Sequence, residues 1–484
     1  MPAPAVPAES NRDSGRLPPR VKFTWALGSL GDNYAGNAIN HLKDPVYTVA
    51  LGVPPEWLGW ALSLPRLLDA FFDPLVGFWS DRANTRWGRR RPFIFFGAIA
   101  LGLTMALIWL PPVHRGWSRM ALAGFFFGAT MFFYAAYSIF LVPYRALGLE
   151  LTRDYHERTR LQAWGMMVGL VGGLGLPWLY KLTLLAGGGR DGTTVTADII
   201  LGGVRWVGVG VGVVILASCL VPAIACREVP RPGPEPAIPL GRAIAATFFN
   251  RPFLHLLAMN FCAVVALFAP VTVSLLVSIF ALYHGDQNAA ATLTGFLGMT
   301  QMLGSLAGVP VNTALSVRLG KRSSCLLALA IAATGYASLW LTLLPEHPYR
   351  ALLSHFLIGW GLQGVWLMSA TMNADVCDGD ELATGARREG MYGAVFGLEQ
   401  KLAYAAAALL GGYLVTRCGY VASAEPTPAT LQQLRATLVA APLLALGLAA
   451  VCIARYPLTQ ARVMEIQSTL SARRAGAGTT GTPV

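Results

Sequence analysis

Apolar stretches alternate with short polar segments along the whole chain. Most apolar stretches are about 20 residues long or longer, which is the length that an α-helix needs to cross a bilayer. The pattern predicts an all-α membrane protein with twelve transmembrane spans, numbered in chain order: 23–50, 56–81, 92–113, 119–149, 161–186, 201–225, 252–283, 288–317, 323–344, 350–376, 390–416 and 431–455.

The polar segments differ in charge from one side of the predicted membrane to the other. Arginine and lysine gather in every second loop, as in RWGRRRP (86–92), and near both chain ends. Loops rich in these residues stay on the cytoplasmic side of a membrane. We therefore expect a multi-pass protein of the plasma or inner membrane, with both termini in the cytoplasm.

A proline-rich, charged segment at 227–251 divides the chain near its middle. A glycine followed by two cations ends the second span of each half, in RWGRRRP and in VRLGKRSS (317–324). Such a repeat favours two pseudo-symmetric six-helix bundles, the architecture of major facilitator transporters. The expected organisation is a disordered tail at 1–22, bundles at 23–226 and 252–456, the linker 227–251, and a cytoplasmic tail at 457–484, whose end (471–484) is predicted to be unstructured.

Composition narrows the class of protein further. The chain is 54% hydrophobic and 13% charged, whereas a soluble domain carries about 25% charged residues. The net charge of +12 lies between the apolar stretches, so we expect the lipid bilayer and no nucleic acid as a partner. The seven cysteines show no metal-ligand spacing, so we expect no metal cofactor. We also expect no other cofactor, and we expect the protein to be a monomer.

Span 2 carries two carboxylates inside an apolar stretch. Asp69 and Asp73 are four residues apart and share a helix face, which Arg66 joins. A charge at mid-bilayer costs about 2.5–3.5 kcal/mol, so it needs a partner or a function. Two carboxylates and one fixed cation leave a net negative site that binds Na⁺ or holds a proton. Alternatively, the pair only neutralises interior cations.

Span 11 contributes a second buried charge, Lys401. This lysine can pair with the two aspartates of span 2 and compete there with a bound cation. The alternative is a lysine whose amine reaches the membrane surface along its apolar stem.

Polar side chains recur along span 1 every three or four residues, at Asp32, Asn33, Asn37, Asn40 and Asp44. Such a stripe can line a water-filled cavity, and hydrogen-bonding groups interleaved with aromatic rings suit a sugar. Span 10 offers an opposite wall, although its aromatic residues can equally pack in the core. The candidate substrate-binding residues are Asp32, Asn33, Tyr34, Asn37, Tyr144, Arg145, Trp360, Gln363 and Trp366.

Charged residues at the predicted cytoplasmic helix ends are candidates for a gate. We expect them to form ion pairs that lock the outward-facing conformation. The candidate gate residues are Asp81, Arg82, Glu150, Arg153, Asp378, Glu381, Arg387 and Arg388.

Four segments together resemble the glycoside–pentoside–hexuronide:cation symporter family, the melibiose-carrier-like branch of the major facilitator superfamily. PRLLDAFFDPLVGFWSDRANTRWGRRRPF (65–93) is similar to the family's cation motif and the loop after it. VPYRALGLELTRDYHERTRL (142–161) and NADVCDGDELATGARREGMYGAV (373–395) are similar to its segments after span 4 and before span 11, and Lys401 matches its span-11 lysine.

The resemblance implies alternating access by two bundles and sugar uptake driven by Na⁺, H⁺ or sometimes Li⁺. It implies that Asp69 and Asp73 are the carboxylates that bind the coupling cation, with Arg66 and Lys401 as their charge partners. It also implies that Asn33 or Asp32 occupies a sugar-binding position. The sequence departs from the melibiose-type pattern on spans 4 and 5. The departing positions are Leu141, Arg145 and Met166.

The sequence thus predicts a cation-coupled sugar or glycoside symporter rather than an enzyme. Because Arg145 would suit an anion, an anionic or lipid-like substrate remains the alternative on the same fold. A more remote alternative is a Mg²⁺-dependent intramembrane prenyltransferase, which would use Asp69, Asp73 and DVCDGDE (375–381) as acidic motifs.

Overall fold

The computed structural model describes residues 17–83, 85–112, 116–152, 154–190, 192–226, 228, 250–385, 388–422 and 424–479, and these residues form helices without any β-strand. Each predicted span overlaps a helix or a broken helix. The continuous spans are Pro55–Arg82 (span 2), Arg91–Ile108 (span 3), Arg119–Glu150 (span 4), Ala197–Ala225 (span 6), Gln287–Leu319 (span 8), Lys321–Thr342 (span 9), Ala351–Thr384 (span 10), Glu389–Arg417 (span 11) and Pro428–Ala454 (span 12).

Spans 1, 5 and 7 change helix type along their length, and each contains a proline at one of its breaks. Pro45, Pro177 and Pro270 lack the N–H that an α-helix uses to bond the residue four positions before. The segments are Pro19–Lys43 and the π-helix Asp44–Ala50 in span 1; Tyr155–Gly173, the 3₁₀-helix Leu176–Trp178 and Leu179–Ala186 in span 5; and Arg251–Phe268, Val271–Leu276 and the π-helix Val277–Leu282 in span 7.

Eight of the described helical spans are long and apolar enough to cross a membrane, which supports a multi-pass membrane protein. Spans 1, 2, 8 and 11 have sufficient length but are more polar. Span 2 packs against span 11, and span 8 packs against the end of span 5. The polar spans therefore lie where the two halves of the chain face each other, and their polar groups are turned away from lipid.

Buried side chains form two core clusters. One is built mainly from spans 1 to 6, around Tyr47, Trp109 and Phe126. The other is built from spans 7 to 12, around Phe253 and Tyr392. Most of the predicted linker, 229–249, lies outside the described residues, and its boundaries remain a prediction.

The two halves meet at the end of the molecule that lies away from the chain termini. There the Ser63 hydroxyl donates to the Ala405 carbonyl at 2.6 Å. Glycines bring spans 2 and 11 into backbone contact, since a Cβ on Gly412 would lie 2.5 Å from the Pro55 carbonyl oxygen and one on Gly59 would lie 2.8 Å from that of Ala408. Such close approach of two helices is typical of small residues in membranes.

Two further contacts join the halves at this end. The Tyr180 hydroxyl of span 5 donates to Gln287 Oε1 of span 8 at 2.8 Å. The buried carboxylate of Asp44 in span 1 accepts from Lys43 at 2.7 Å and from the Thr272 hydroxyl of span 7 at 2.8 Å.

The two chain ends differ from the prediction. The first helix already begins at Pro19, inside the predicted tail 1–22. A helix also spans Gln460–Thr479, so the prediction of an unstructured segment from residue 471 is wrong as far as residue 479. The helix is held because Ile466 and Leu470 are buried and the Gln467 amide donates to Asp378 at 3.2 Å.

Candidate functional site

A three-residue charge cluster joins span 2 to span 11 at the middle of the molecule. The Lys401 amine lies 2.6 Å from a carboxylate oxygen of Asp69 and 2.6 Å from one of Asp73. Asp69 is 3% exposed, whereas the Asp73 side chain is 31% exposed. Lys401 is therefore a partner of both carboxylates, and Asp73 lies on the more accessible side of the cluster.

Ser138 of span 4 completes the cluster. Its hydroxyl bonds to Asp69, and it lies 2.7 Å from an oxygen of Asp73. A hydroxyl has one proton to donate, so the two carboxylates share this donor. With both acids ionised, the cluster carries two negative charges and one positive charge, which leaves a net charge of about −1.

Arg66 does not pair with the aspartates, so its prediction as their charge partner is wrong for this conformation. It is 7% exposed, its Nε donates to the Tyr134 hydroxyl, and its guanidinium lies 5.6 Å and 5.5 Å from the ring centroids of Tyr134 and Tyr404. A second nitrogen lies 3.5 Å from the Asn40 side-chain oxygen. Aromatic faces and neutral acceptors thus take the place of a carboxylate.

Two prolines of span 2 remove backbone donors near the cluster. Pro65 cannot donate to the Ala61 carbonyl, and the Thr130 hydroxyl of span 4 lies 3.0 Å from that oxygen, although it shares its one proton with carbonyls of its own helix. Pro74 likewise cannot donate to the Ala70 carbonyl. No side-chain donor of the described residues replaces that bond. The Ala70 carbonyl oxygen is therefore available as a further acceptor, in the same turn of the helix as the two carboxylates.

A cavity of about 580 Å³ lies between the two halves, beside the charge cluster. Most of its lining is apolar, and its polar groups are hydroxyls, two histidines, Asp44 and six side-chain amides, which both donate and accept hydrogen bonds. Tyr404 and Asn40 line the cavity, and Arg66 contacts both of these residues from span 2, three residues before Asp69. The lining amides are Asn33, Asn37, Asn40, Gln301, Gln363 and Gln400.

Four predicted substrate residues line this cavity: Asn33, Asn37, Gln363 and Trp366. Asn37 donates to the Asn33 side-chain oxygen at 3.0 Å, and Asn33 donates to the Gly169 carbonyl at 2.9 Å. This chain of bonds fixes both amides of span 1 against span 5.

The other predicted substrate residues lie elsewhere. Tyr144 is 2% exposed and stacks on Trp25 and Phe140, so it belongs to the core. Trp360 packs on span 8, where a Cβ on Gly308 would lie 2.7 Å from its ring. Neither residue lines the cavity in this conformation, because each ring fills a gap between neighbouring helices.

Asp32, Tyr34 and Arg145 also lie off the cavity lining. Arg145 lies 3.7 Å from the Asp32 carboxylate, which also accepts from the Tyr137 hydroxyl. The cation that would favour an anionic substrate is thus already paired with an acid. The Tyr34 hydroxyl would lie 2.9 Å from a Cβ on Gly175, so this ring packs against the break in span 5.

Several cavity residues escaped the sequence analysis. Gln301 and His355 lie in spans 8 and 10 without a polar stripe around them, and Gln400 is hidden beside Lys401. The break at Pro270 turns a segment of span 7 towards the cavity, where Val271 and Ser274 contribute to its lining. The signal in the sequence that could have identified Gln301 was a side-chain amide within an otherwise apolar span.

The predicted gate residues pair within their own halves in this conformation. Asp81 and Glu150 bind Arg90 at 3.0 Å and 2.9 Å, and Arg388 binds Asp380 at 2.6 Å. Asp378 bonds to the C-terminal helix, and Glu381 lies nearby on span 10. Arg82 lies 3.7 Å from the centroid of the Phe78 ring. Arg153 and Arg387 lie outside the described residues, and the gate stays a prediction.

The described residues contain no group of three or more His, Cys, Asp or Glu side chains that could hold a metal ion. A monovalent cation at Asp69 and Asp73 would therefore draw its other ligands from neutral oxygens, such as the Ser138 hydroxyl, backbone carbonyls or water.

Two helical bundles around a central cavity, with an ion-paired cluster beside it, define a membrane transporter of the major facilitator fold. The sequence matches the model of the family described as "MFS/sugar transport protein" over residues 24–460. The chain belongs to this family. Its members are transporters, which confirms the prediction of a transporter over that of an enzyme.

Curated relatives agree with the predicted symporter family. The chain is 26% identical to an uncharacterized symporter of Synechocystis sp., with 94% of this chain and 97% of the relative covered. It is 25% identical to the glucuronide carrier protein homolog of Escherichia coli, with 92% and 94% covered. It is 23% identical to the isoprimeverose transporter of Lactiplantibacillus pentosus, with 94% and 92% covered.

Solved structures support the fold. A D-xylose-proton symporter matches with a TM-score of 0.61 at 15% identity, covering 90% of this chain and 97% of that one. A bacterial homologue of the lysosomal transporter Spinster, in an inward-facing and occupied conformation, matches with a TM-score of 0.62 at 14% identity, covering 90% and 95%.

Proposed function

We propose that this protein is a symporter that uses a Na⁺ or H⁺ gradient to import a neutral sugar or glycoside. The observation that carries the proposal is the Lys401 amine, which bridges Asp69 and Asp73 beside a cavity whose lining includes six side-chain amides. Two relatives, named a putative glycoside/cation symporter and an isoprimeverose transporter, support the same substrate class, whereas the glucuronide carrier protein homolog is named for an anionic sugar.

The cavity favours a neutral substrate over an anion. Asp44, His41 and His355 are its charged or titratable lining residues other than tyrosine, and no arginine or lysine lines it among the described residues. A hexuronide carboxylate would lose water there without gaining a cation, which is costly in a low-dielectric site. Amides that both donate and accept match the hydroxyl groups of a sugar, and Trp366 offers a flat face to its ring.

The coupling ion would act by competing with Lys401. A cation or proton that reaches Asp69 and Asp73 neutralises the net negative charge and weakens the lysine's hold on both carboxylates. Moving one charge inward through −100 mV contributes about 2.3 kcal/mol. That free energy corresponds to about 50-fold accumulation of a neutral substrate.

The contacts between the halves support an inward-facing conformation in the plasma or inner membrane. They lie at the end away from the termini, and the described ion pairs of the gate residues stay within one half. With both termini in the cytoplasm, as the loop charges indicate, that closed end faces outward. The proposal is a monomer in the lipid bilayer that alternates between this conformation and an outward-facing one.

Uptake into right-side-out membrane vesicles tests the proposal. The panel contains labelled neutral glycosides, hexuronides and a lysophospholipid, each with an imposed Na⁺ or H⁺ gradient. We expect accumulation of a neutral glycoside under one of the two gradients. Accumulation of a hexuronide or the lysophospholipid alone would refute the substrate class, and no accumulation of any compound would refute the symporter.

A further inference from the structure

A second buried carboxylate lies on the other side of span 11. Glu399 is 8% exposed and is the eleventh residue of the helix Glu389–Arg417. At 1.5 Å per residue it lies about 15 Å from the start of that helix, close to the middle of a 30 Å hydrocarbon layer. Its partner is Asn260 of span 7, which is fully buried and donates to Glu399 Oε2 at 2.8 Å.

Each of these two side chains keeps one buried oxygen without a hydrogen bond. Glu399 Oε1 and Asn260 Oδ1 are both buried and have no partner among the described residues. Both atoms are acceptors when the acid is ionised, so neither can satisfy the other. An ionised Glu399 would therefore share a buried negative charge between Oε2, which accepts from Asn260, and Oε1, which has lost water and gained no donor, and this costs several kcal/mol.

No cation compensates this acid in the described part of the chain. The titratable groups within its electrostatic reach are the Cys262 thiol of span 7 and the Tyr404 phenol of span 11, and neither is cationic. Lys401 is two residues away, which places it about 200° around the helix, and it is bound to the acids of span 2. The charged groups that span 2 turns towards span 11 are Arg66, Asp69 and Asp73, at that lysine's side.

We propose that Glu399 carries a bound proton in this conformation and forms a two-hydrogen-bond acid–amide pair with Asn260. A proton on Oε1 removes the charge and supplies the donor that Asn260 Oδ1 lacks. The C-terminal half then contains a proton-binding site that is separate from the carboxylates of span 2. Span 11 carries both functions on different faces, with the lysine of the cation cluster on one and the protonated acid on the other.

Infrared difference spectroscopy of the purified full-length protein at neutral pH tests the site. We expect Glu399→Gln to remove a protonated-carboxyl band. The control is Glu425→Gln, at an exposed glutamate, which should remove a carboxylate band instead. Asp69 and Asp73 are unchanged in every sample, so their bands cancel. Loss of a carboxylate band in Glu399→Gln would overturn the proposal.

Two further measurements keep the test decisive. Replacing the amide in Asn260→Leu should shift the protonated-carboxyl band, because the acid loses both hydrogen bonds, and an unshifted band would refute the pairing. The thermal midpoint of the wild type should fall as pH rises, since ionisation leaves a lone buried charge. Glu399→Gln should lack that part of the fall, and an equal fall in both proteins would count against the site. Neither readout requires substrate or a gradient, so both stand apart from the proposed function.

Discussion

Replacing Asp73 by asparagine removes one of the two carboxylates that hold Lys401 while preserving the shape of the side chain. The wild-type cluster combines two carboxylates with one amine, bonded at 2.6 Å to each acid. Asp73→Asn leaves one carboxylate against one amine, so the net charge changes from about −1 to about 0. The site then has no excess negative charge with which to attract a cation or proton.

The size of the effect follows from the lost charged ligand. A hydrogen bond or contact to a charged group contributes about 1.5–3 kcal/mol. Because about 1.4 kcal/mol corresponds to a factor of ten, the mutant should bind its coupling ion about 10- to 150-fold more weakly. Substrate binding should change less, because Asp73 does not line the cavity.

Active accumulation and substrate exchange separate these two effects. In vesicles with an imposed ion gradient, Asp73→Asn should fail to accumulate substrate. In vesicles preloaded with unlabelled substrate, it should still exchange labelled substrate across the membrane, because that process requires no net ion movement. The matched control is Asp198→Asn, at an exposed aspartate near the start of span 6, which should accumulate substrate like the wild type. Accumulation by Asp73→Asn with unchanged ion dependence would refute the cation site.

Three other predictions follow from the contacts. Gly412→Val places side-chain atoms against the Pro55 carbonyl, so it should hold that end of the molecule open. External labelling of a cysteine introduced by Asn37→Cys should then increase. Unchanged labelling would contradict this packing argument. Gln363→Leu removes one hydrogen-bonding group of about 1 kcal/mol from the cavity, so the KM for sugar should rise about 5-fold at an unchanged ion requirement, and an unaltered KM would exclude this amide from the sugar site. Ser138→Ala removes the donor shared by the carboxylates, so the ion concentration for half-maximal uptake should rise about 10-fold. A rise in the KM for sugar alone would refute the assignment of this hydroxyl to the cation site.

The sequence predicts what depends on the cost of exposing polar groups to lipid. That cost identified the spans from hydropathy, and it favoured a meeting of Asp69, Asp73 and Lys401 from distant parts of the chain, which the structure shows. The same reasoning failed for Arg66, because a tyrosine hydroxyl and two aromatic faces surround the buried guanidinium in place of a carboxylate.

The predictions that failed concern which way a residue faces on its helix. Tyr144 and Trp360 are in polar or aromatic surroundings in the sequence, but tight gaps beside Trp25 and Gly308 take up their rings. Such gaps depend on how neighbouring helices pack, and a single sequence does not contain that information. The cavity similarly depends on the helix breaks at Pro45, Pro177 and Pro270. The sequence contains these prolines, but it does not say in which direction the helix turns at each of them.

The bond from Lys401 to the two aspartates also has a mechanical meaning. It crosses from the C-terminal half to the N-terminal half, about one turn of span 11 from the bond between Arg66 and the Tyr404 carbonyl. On the proposed function, an arriving ion would therefore do more than add charge, because it would loosen a link between the two halves. The proposed coupling would thus convert the ion gradient into a change in the stiffness of the joint between the halves, before any substrate is displaced.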